Sequence, residues 1–206
     1  MYDLPWYREH DERTISAFIE HHPFAFMSGC DARNRPVATQ VPLFIEERDG
    51  RRILSGHIMK NTDHHKAFLK NDHVLAVFTG PHTYVSATWY SDPRVASTWN
   101  YMSVHARGKI RFLDCEGLEA ILRKSSMHFE NDDAHSPTVF DNLPDSFKQK
   151  TMKAIVGFEI EVNALGAVFK LSQEKDAESV KSTIDKLRTG DEDARHIAAE
   201  MDKRRH

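Results

Sequence analysis

Two aromatic-rich runs, Gly80–Tyr90 and Thr98–Gly108, carry the residue types best suited to chemistry, with a short polar turn between them. Read with period two, the second run puts Met102, Val104, Ala106, Ile110 and Phe112 on one face and Trp99, Tyr101, Ser103, His105 and Arg107 on the other. The first face is core. The second combines large rings with hydroxyl, amide and imidazole groups, so it could hold a flat, polar-edged molecule: rings supply area and polar groups fix orientation. A cross-strand aromatic ladder that only stabilises a sheet has the same pattern, and the runs alone leave both readings open.

A second candidate is Ser55-Gly56-His57-Ile58-Met59-Lys60-Asn61-Thr62, which leads from a strand into a helix. Lys60 supplies charge, Asn61 and Thr62 supply neutral donors, and a helix N-terminus offers free N–H groups, the makings of a phosphate site. An ordinary capped helix start is the plainer account. The 13 histidines raise the question of metal, but there is no HExxH motif and no Cys-His grouping, and no metal site is expected. His21-His22 and His64-His65 are sequence neighbours, about 100° apart on a helix, and chelate poorly as pairs. No GxSxG elbow and no GxGxxG loop is present, so neither a serine hydrolase nor a Rossmann dinucleotide fold is indicated.

The elements that must position these residues are mostly strands. Ile15, Phe18 and Ile19 predict a helix from Asp11, as cap, to His22, where Pro23 stops it. Strands are predicted at Phe24 to Ser28, Val37 to Ile45, Arg52 to His57 and Val74 to Thr79, with a bridging helix at Asn61 to Asn71. After the aromatic runs, Asp114 caps a helix carrying Leu118, Ile121 and Leu122; Pro144-Asp145-Ser146 starts another, to about Lys153; and Ile155 to Phe169 returns to strand. Many short strands with few helical interruptions suggest a small closed or partly closed barrel. Beyond Gln173 the charged sequence reads as a loosely attached helical tail broken at Thr189-Gly190-Asp191.

With 206 residues, 40% of them hydrophobic, the chain can bury a core as one unit. A formal net charge of −3 gives no global attraction to nucleic acid, so any DNA binding needs a local patch. Two cysteines, Cys30 and Cys115, make no disulfide framework, and neither a signal-peptide core nor a membrane-spanning run is evident. A soluble, cytoplasmic protein is expected.

Taken in order, His22-Pro23-Phe24-Ala25, Gly56-His57, Gly80-Pro81-His82-Thr83-Tyr84-Val85-Ser86, Trp89-Tyr90, Thr98-Trp99-Asn100-Tyr101, Val104-His105-Ala106, Ile155–Ile160 and Lys170-Leu171-Ser172-Gln173 resemble the PaiB family. The resemblance implies a mainly β, α+β fold, the FMN-binding split β-barrel shared with pyridoxamine phosphate oxidases. It divides the chain into a flavin-binding domain, residues 1–173, and a helical C-terminal tail, residues 174–206. It implies FMN as cofactor, a homodimer with flavin at the subunit interface, and a flavin-dependent oxidoreductase or flavin reductase. It also brings the family's label of negative transcriptional regulator, acting through DNA or a protein partner; the basic end Lys203-Arg204-Arg205-His206 is a thin footprint for that role. By the resemblance, His57, Lys60 and Asn61 fall at the flavin phosphate; Tyr84, Ser86, Trp89, Thr98, Trp99 and Asn100 line the flavin or the partner surface; Lys170 and Gln173 reach the cofactor. No catalytic side chain is assigned. A third reading is a haem-binding split barrel with His82 and His105 as candidate ligands. The chain departs from the family's Gly-Lys-Trp-Lys-Leu-Ser-Gln-Asn at Gly166–Glu174, where a cation and an indole are missing and Glu174 replaces an amide. That change is expected to weaken FMN binding by about 1–3 kcal/mol.

Overall fold

The computed structural model describes residues 4–204; Arg205 and His206 of the basic end lie outside the described residues. The elements run β1 (Arg8–Glu9), α1 (Glu12–His21), β2 (Phe24–Cys30), β3 (Pro36–Pro42), β4 (Phe44–Arg48), β5 (Arg51–Met59), α2 (Asp63–Phe68), β6 (His73–Val85), β7 (Thr98–Phe112), α3 (Cys115–Phe129), α4 (Asp145–Met152), β8 (Ile155–Lys170), α5 (Ala177–Leu187) and α6 (Glu192–Lys203). The fold is α+β, built on a curled, mostly antiparallel sheet of order β3-β2-β6-β7-β8-β5-β4, with β1 added against β8. The path ends at β3 and β4, which are not paired with each other, so hydrogen bonding among the described residues leaves the sheet open.

The local signals act as expected where they are strong. Asp11 accepts from Thr14 N and Asp114 from Gly117 N, each satisfying an otherwise free donor of the first helical turn. The hairpin joining β4 to β5 turns at Asp49 (φ 53°) and Gly50 (φ 71°), the pair of positive φ values that a two-residue turn of this hand requires. The predicted strand at Val74 and the first part of the aromatic run, to Val85, are one 13-residue strand, β6, continuous through Gly80-Pro81, while Ala87–Trp89 of that run form a 3-10 turn. Gly80 permits this because a Cβ there would lie 2.7 Å from the Phe18 ring. The predicted strand Val37 to Ile45 is instead two, broken at Leu43, whose N–H bonds to Pro23 O.

The chain forms two compact units. Unit 1 comprises Met1–His22, Phe78–His105 and Gly166–His206. Its core gathers Ile19 and Phe18 of α1, Phe78, Val85 and Val104 of the sheet, and Ile184, Leu187, Ile197 and Met201 of α5 and α6. The C-terminal helices are held firmly: Ile197 is fully buried, Arg204 pairs with Glu9 at 2.6 Å, and its guanidinium lies 4.9 Å from the Phe169 ring centroid.

Unit 2 comprises Pro23–Val77 and Ala106–Leu165. Met27, Leu43, Leu54, Ala76, Phe158 and Ile160 fill its core. Glu159 is buried on β8, accepting from Arg48 at 3.0 Å and from Arg111. The carboxylate is buried but ion-paired on two sides, the condition under which a charge is tolerated away from water. No helix among the described residues is long and apolar enough to cross a membrane.

Candidate functional site

In unit 1, β6 and β7 present a set of exposed rings. Trp99 is 55% and Tyr84 48% exposed, their centroids 6.0 Å apart at 70°, and His82 lies 6.1 Å from Trp99. Large aromatic surface left in water is the informative departure from ordinary burial, because each ring forgoes the stabilisation of being covered. The period-two reading of β7 holds for Met102, Val104, Ala106 and Ile110, which are buried, and for Trp99, which is not. It fails at Ser103, which is buried with its hydroxyl donating to Phe78 O at 3.1 Å.

Against the backbone that carries Trp99 lies Lys170, 5% exposed. Its ammonium donates to Thr98 Oγ1 at 2.5 Å and to the Trp99 carbonyl at 2.7 Å, and lies 5.8 Å from the Tyr7 ring centroid. Burial holds its pKa below the ordinary 10.5, opposed by the charge of Glu174 and reinforced by that of Lys175. A buried cation thus pins the backbone that carries Trp99.

The remaining expected residues of unit 1 are engaged internally. Asn100 is fully buried and accepts from Ser172 Oγ at 3.1 Å, holding a turn in which Ser172 takes a left-handed backbone, φ 61°. Gln173 closes the same turn, donating to Phe169 O at 2.5 Å and accepting from Leu171 N at 2.7 Å. Ser86 caps a short 3-10 turn, accepting from Thr88 N. Trp89 packs, partly buried, on the cluster of Val85, Ala87 and Tyr90. The structure therefore brings Tyr84, Thr98, Trp99 and Lys170 together, and gives Asn100, Gln173 and Ser86 local bonding roles. His82 is exposed, 3.6 Å from Asp193, and His105 is half-buried on β7.

In unit 2 the other three expected residues diverge. Lys60 lines a cleft of about 600 Å³ with Arg123, Lys148 and Lys153 against Glu119, Asp141 and Asp145. Arg123 pairs with Asp141 and Lys148 with Asp145, leaving Lys60 and Lys153 without a carboxylate partner among the described residues. Asn61 has a left-handed backbone, φ 66°, and donates its N–H to His65 Nδ1 at 3.1 Å. Thr62 caps α2, accepting from His65 N. His65 is held below its ordinary pKa by burial first and then by its neighbours His64, Lys60 and Lys66. His57 lines a different, apolar cavity formed with α3 and α4.

One group escaped sequence reasoning. Arg33, Arg35, Lys66 and Lys70 line a groove of about 790 Å³ with Asp31 and Asp63. Asp31 locks the β2–β3 turn, bonding Arg35 and two backbone amides, which lowers its pKa to about 2. The cations are some thirty residues apart in sequence, so no local motif announces them. Among the described residues no group of three or more His, Cys, Asp or Glu side chains could hold a metal ion.

An open, curled, mostly antiparallel sheet flanked by helices defines a protein of the split-barrel class. Residues 1–164 match the family described as "Putative FMN-binding domain", and the chain belongs to that family, as a PaiB-type member. It is 30% identical over 191 residues to "Protease synthase and sporulation protein PAI 2" of Bacillus subtilis, covering 91% of this chain and 89% of that protein. Among solved structures it resembles the flavocytochrome Anf3 of Azotobacter vinelandii, with a TM-score of 0.61 and 18% identity over 88% of this chain and 78% of the other. It also resembles the FAD and haem binding protein of Mycobacterium smegmatis, with a TM-score of 0.57 and 15% identity over 85% and 78%. At these identities the structural likenesses speak for the fold.

Proposed function

We propose that this protein binds FMN and acts as a flavin-dependent oxidoreductase, with the isoalloxazine laid against Trp99 and Tyr84. The observation that carries the reading is that exposed ring pair, with the Trp99 carbonyl held by Lys170, in a chain whose family is an FMN-binding one. Stacking on a ring face is sequence-tolerant, directional recognition of a flat heterocycle, and suits a tricyclic ring. The chain's donor set fits a phosphorylated ligand as well: among the described residues Lys60 has no carboxylate partner, and Lys66 lies in the same corner. Lys60 and the Asn61 corner are proposed as contacts for the phosphate of a flavin held at the homodimer interface, its ring lying on Trp99 and Tyr84 of a second copy of the chain; His57 closes the strand before them and borders a separate cavity. Thr98 and Lys170 set the Trp99 backbone; Ser86, Trp89, Asn100 and Gln173 shape the strand ends that carry the rings. When bound, the flavin supplies the electron chemistry, and the protein supplies binding and orientation.

A homodimer is part of the same proposal. Phe24 (60% exposed) and Phe26 (45% exposed) stand on one face of β2, Phe26 opposite Val77 and Gln40 in the neighbouring strands. Such an apolar strip is stabilised by a second copy of the chain.

Titration of the purified protein with FMN and with riboflavin, followed by absorbance and Trp fluorescence, tests the proposal. Saturable FMN uptake is expected, with Lys60→Met weakening FMN but not riboflavin; absence of uptake overturns it. A second reading, a regulator acting on DNA, is favoured by the groove of Arg33, Arg35, Lys66 and Lys70. It requires duplex binding that weakens steeply with salt and is lost in Lys66→Glu.

A further inference from the structure

In unit 2, His57 stands directly opposite Gly157 in the antiparallel register of β5 and β8. Cross-strand partners project from the same face of a sheet, and here that face is the one α3 covers. A Cβ on Gly157 would lie 3.1 Å from Leu118 Cα and 3.2 Å from Ile121 Cδ1. The missing side chain lets α3 descend onto the sheet, and the imidazole beside it borders a cavity of about 360 Å³. Leu122, Phe129, Leu143, Phe147, Met152 and Ile155 form its apolar walls.

Most polar groups on this lining are already bonded. Ser126 Oγ donates to Arg123 O and accepts from Phe140 N; Thr151 Oγ1 donates to Phe147 O; Glu130 accepts from Ser136 Oγ; Lys148 pairs with Asp145 at 2.9 Å. His57 and the Ser125 hydroxyl are the lining groups with no such bond to another described residue. Burial lowers the pKa of His57, so at neutral pH the ring is uncharged and keeps one acceptor nitrogen. The two charged lining groups are engaged, Lys148 by Asp145 and the Glu130 carboxylate by the hydroxyls of Ser136 and Thr138, and an uncharged guest avoids the cost of desolvating a charge among the apolar walls. The volume lies near the lower end of ligand pockets, enough for one or two rings and too small for a flavin with its ribityl phosphate.

We propose that this cavity is a separate binding site for an uncharged two-ring heteroaromatic molecule, oriented by a ring N–H donated to His57. It stands independently of where FMN is held. The probes are indole and benzofuran, nearly the same shape, one with a ring N–H and the other with an ether oxygen. Each is titrated into the full-length protein and followed by methyl NMR. Saturable shifts are expected at the Leu122, Leu143, Met152 and Ile155 methyls and not at Val85 or Val104. Indole should bind about fivefold to tenfold more tightly than benzofuran, the scale of one buried hydrogen bond. His57→Leu should erase that preference while keeping benzofuran binding, and Leu122→Trp, which fills the cavity, should abolish both. The wild-type shift map stands without either variant. Shifts centred on the ring face of unit 1, displacement of indole by FMN, equal affinity for the two probes, or no saturation would each overturn the proposal. Failure to take up FMN alongside normal indole binding would count against the flavin reading alone.

Discussion

Replacing Lys170 by methionine removes a buried ammonium and keeps a side chain of similar length. The ammonium donates to Thr98 Oγ1 and Trp99 O at 2.5 and 2.7 Å, and hydrogen bonds from a charged donor contribute about 1.5–3 kcal/mol each. Methionine avoids the cost of desolvating a charge, so the net loss falls to roughly 2–4 kcal/mol. For a chain of this size that corresponds to a melting temperature lower by roughly 4–16 °C. The pH dependence supplies a sharper test. Burial depresses the folded-state pKa below 10.5, so between that depressed value and 10.5 the unfolded chain binds more protons than the folded one. Stability of the wild type therefore gains from this residue as pH rises through that window, and K170M lacks the gain. Urea unfolding at a series of pH values from 7 to 10.5 measures both effects. FMN affinity should fall together with stability, since Trp99 loses the bond on its carbonyl. A melting temperature within a degree of wild type, or an unchanged alkaline slope in K170M, would refute the assignment of Lys170 as the buried post that holds the Trp99 backbone.

Trp99→Ala should weaken FMN binding by about two- to tenfold, the scale of one aromatic pairing, with little change in melting temperature because the ring is 55% exposed; fluorescence titration and thermal unfolding separate the two. Glu159→Gln should cost about 1–2 kcal/mol in urea unfolding, less than a fully buried pair, because Arg48 and Arg111 remain 49% and 63% exposed and rehydrate. Asp176 caps α5 and bonds Ser91 and Ser179, with its pKa lowered from 3.8 to about 2. Its contribution is present above pH 3.8 and is lost as pH falls towards 2, so Asp176→Asn should flatten the acid limb of the stability profile over that interval while leaving its alkaline limb unchanged.

How far the sequence was legible depended on distance along the chain. Asp11 and Asp114 were readable as caps because a cap and its amide lie three residues apart. The alternation of Met102, Val104 and Ala106 against Trp99 was readable because a strand repeats every two residues. The resemblance in ordered motifs carried the family and, with it, the class of fold. Ser103 broke the alternation because what covers a strand's second face is decided by other segments, and once buried its hydroxyl bonds the Phe78 carbonyl of the neighbouring strand.

The site was less legible for the same reason. Lys170 and Asn100 were picked out by motif, yet their partners, Thr98 and Ser172, lie more than seventy residues away. Only the packed sheet shows that one anchors the rings and the other holds a turn. His57 was read with Lys60, three positions on, but the strand's pleat and the bare face of Gly157 turn it towards α3 and a cavity of its own. The cationic groove needed Arg33 and Lys66 to be brought together across two elements. The sequence by itself determined the strands, caps and ring-bearing segments, since those follow from short-range stereochemistry and hydrophobic period. Which side chains are buried, bonded or left free was decided by tertiary structure, because strand register and helix docking set distances that no local pattern encodes.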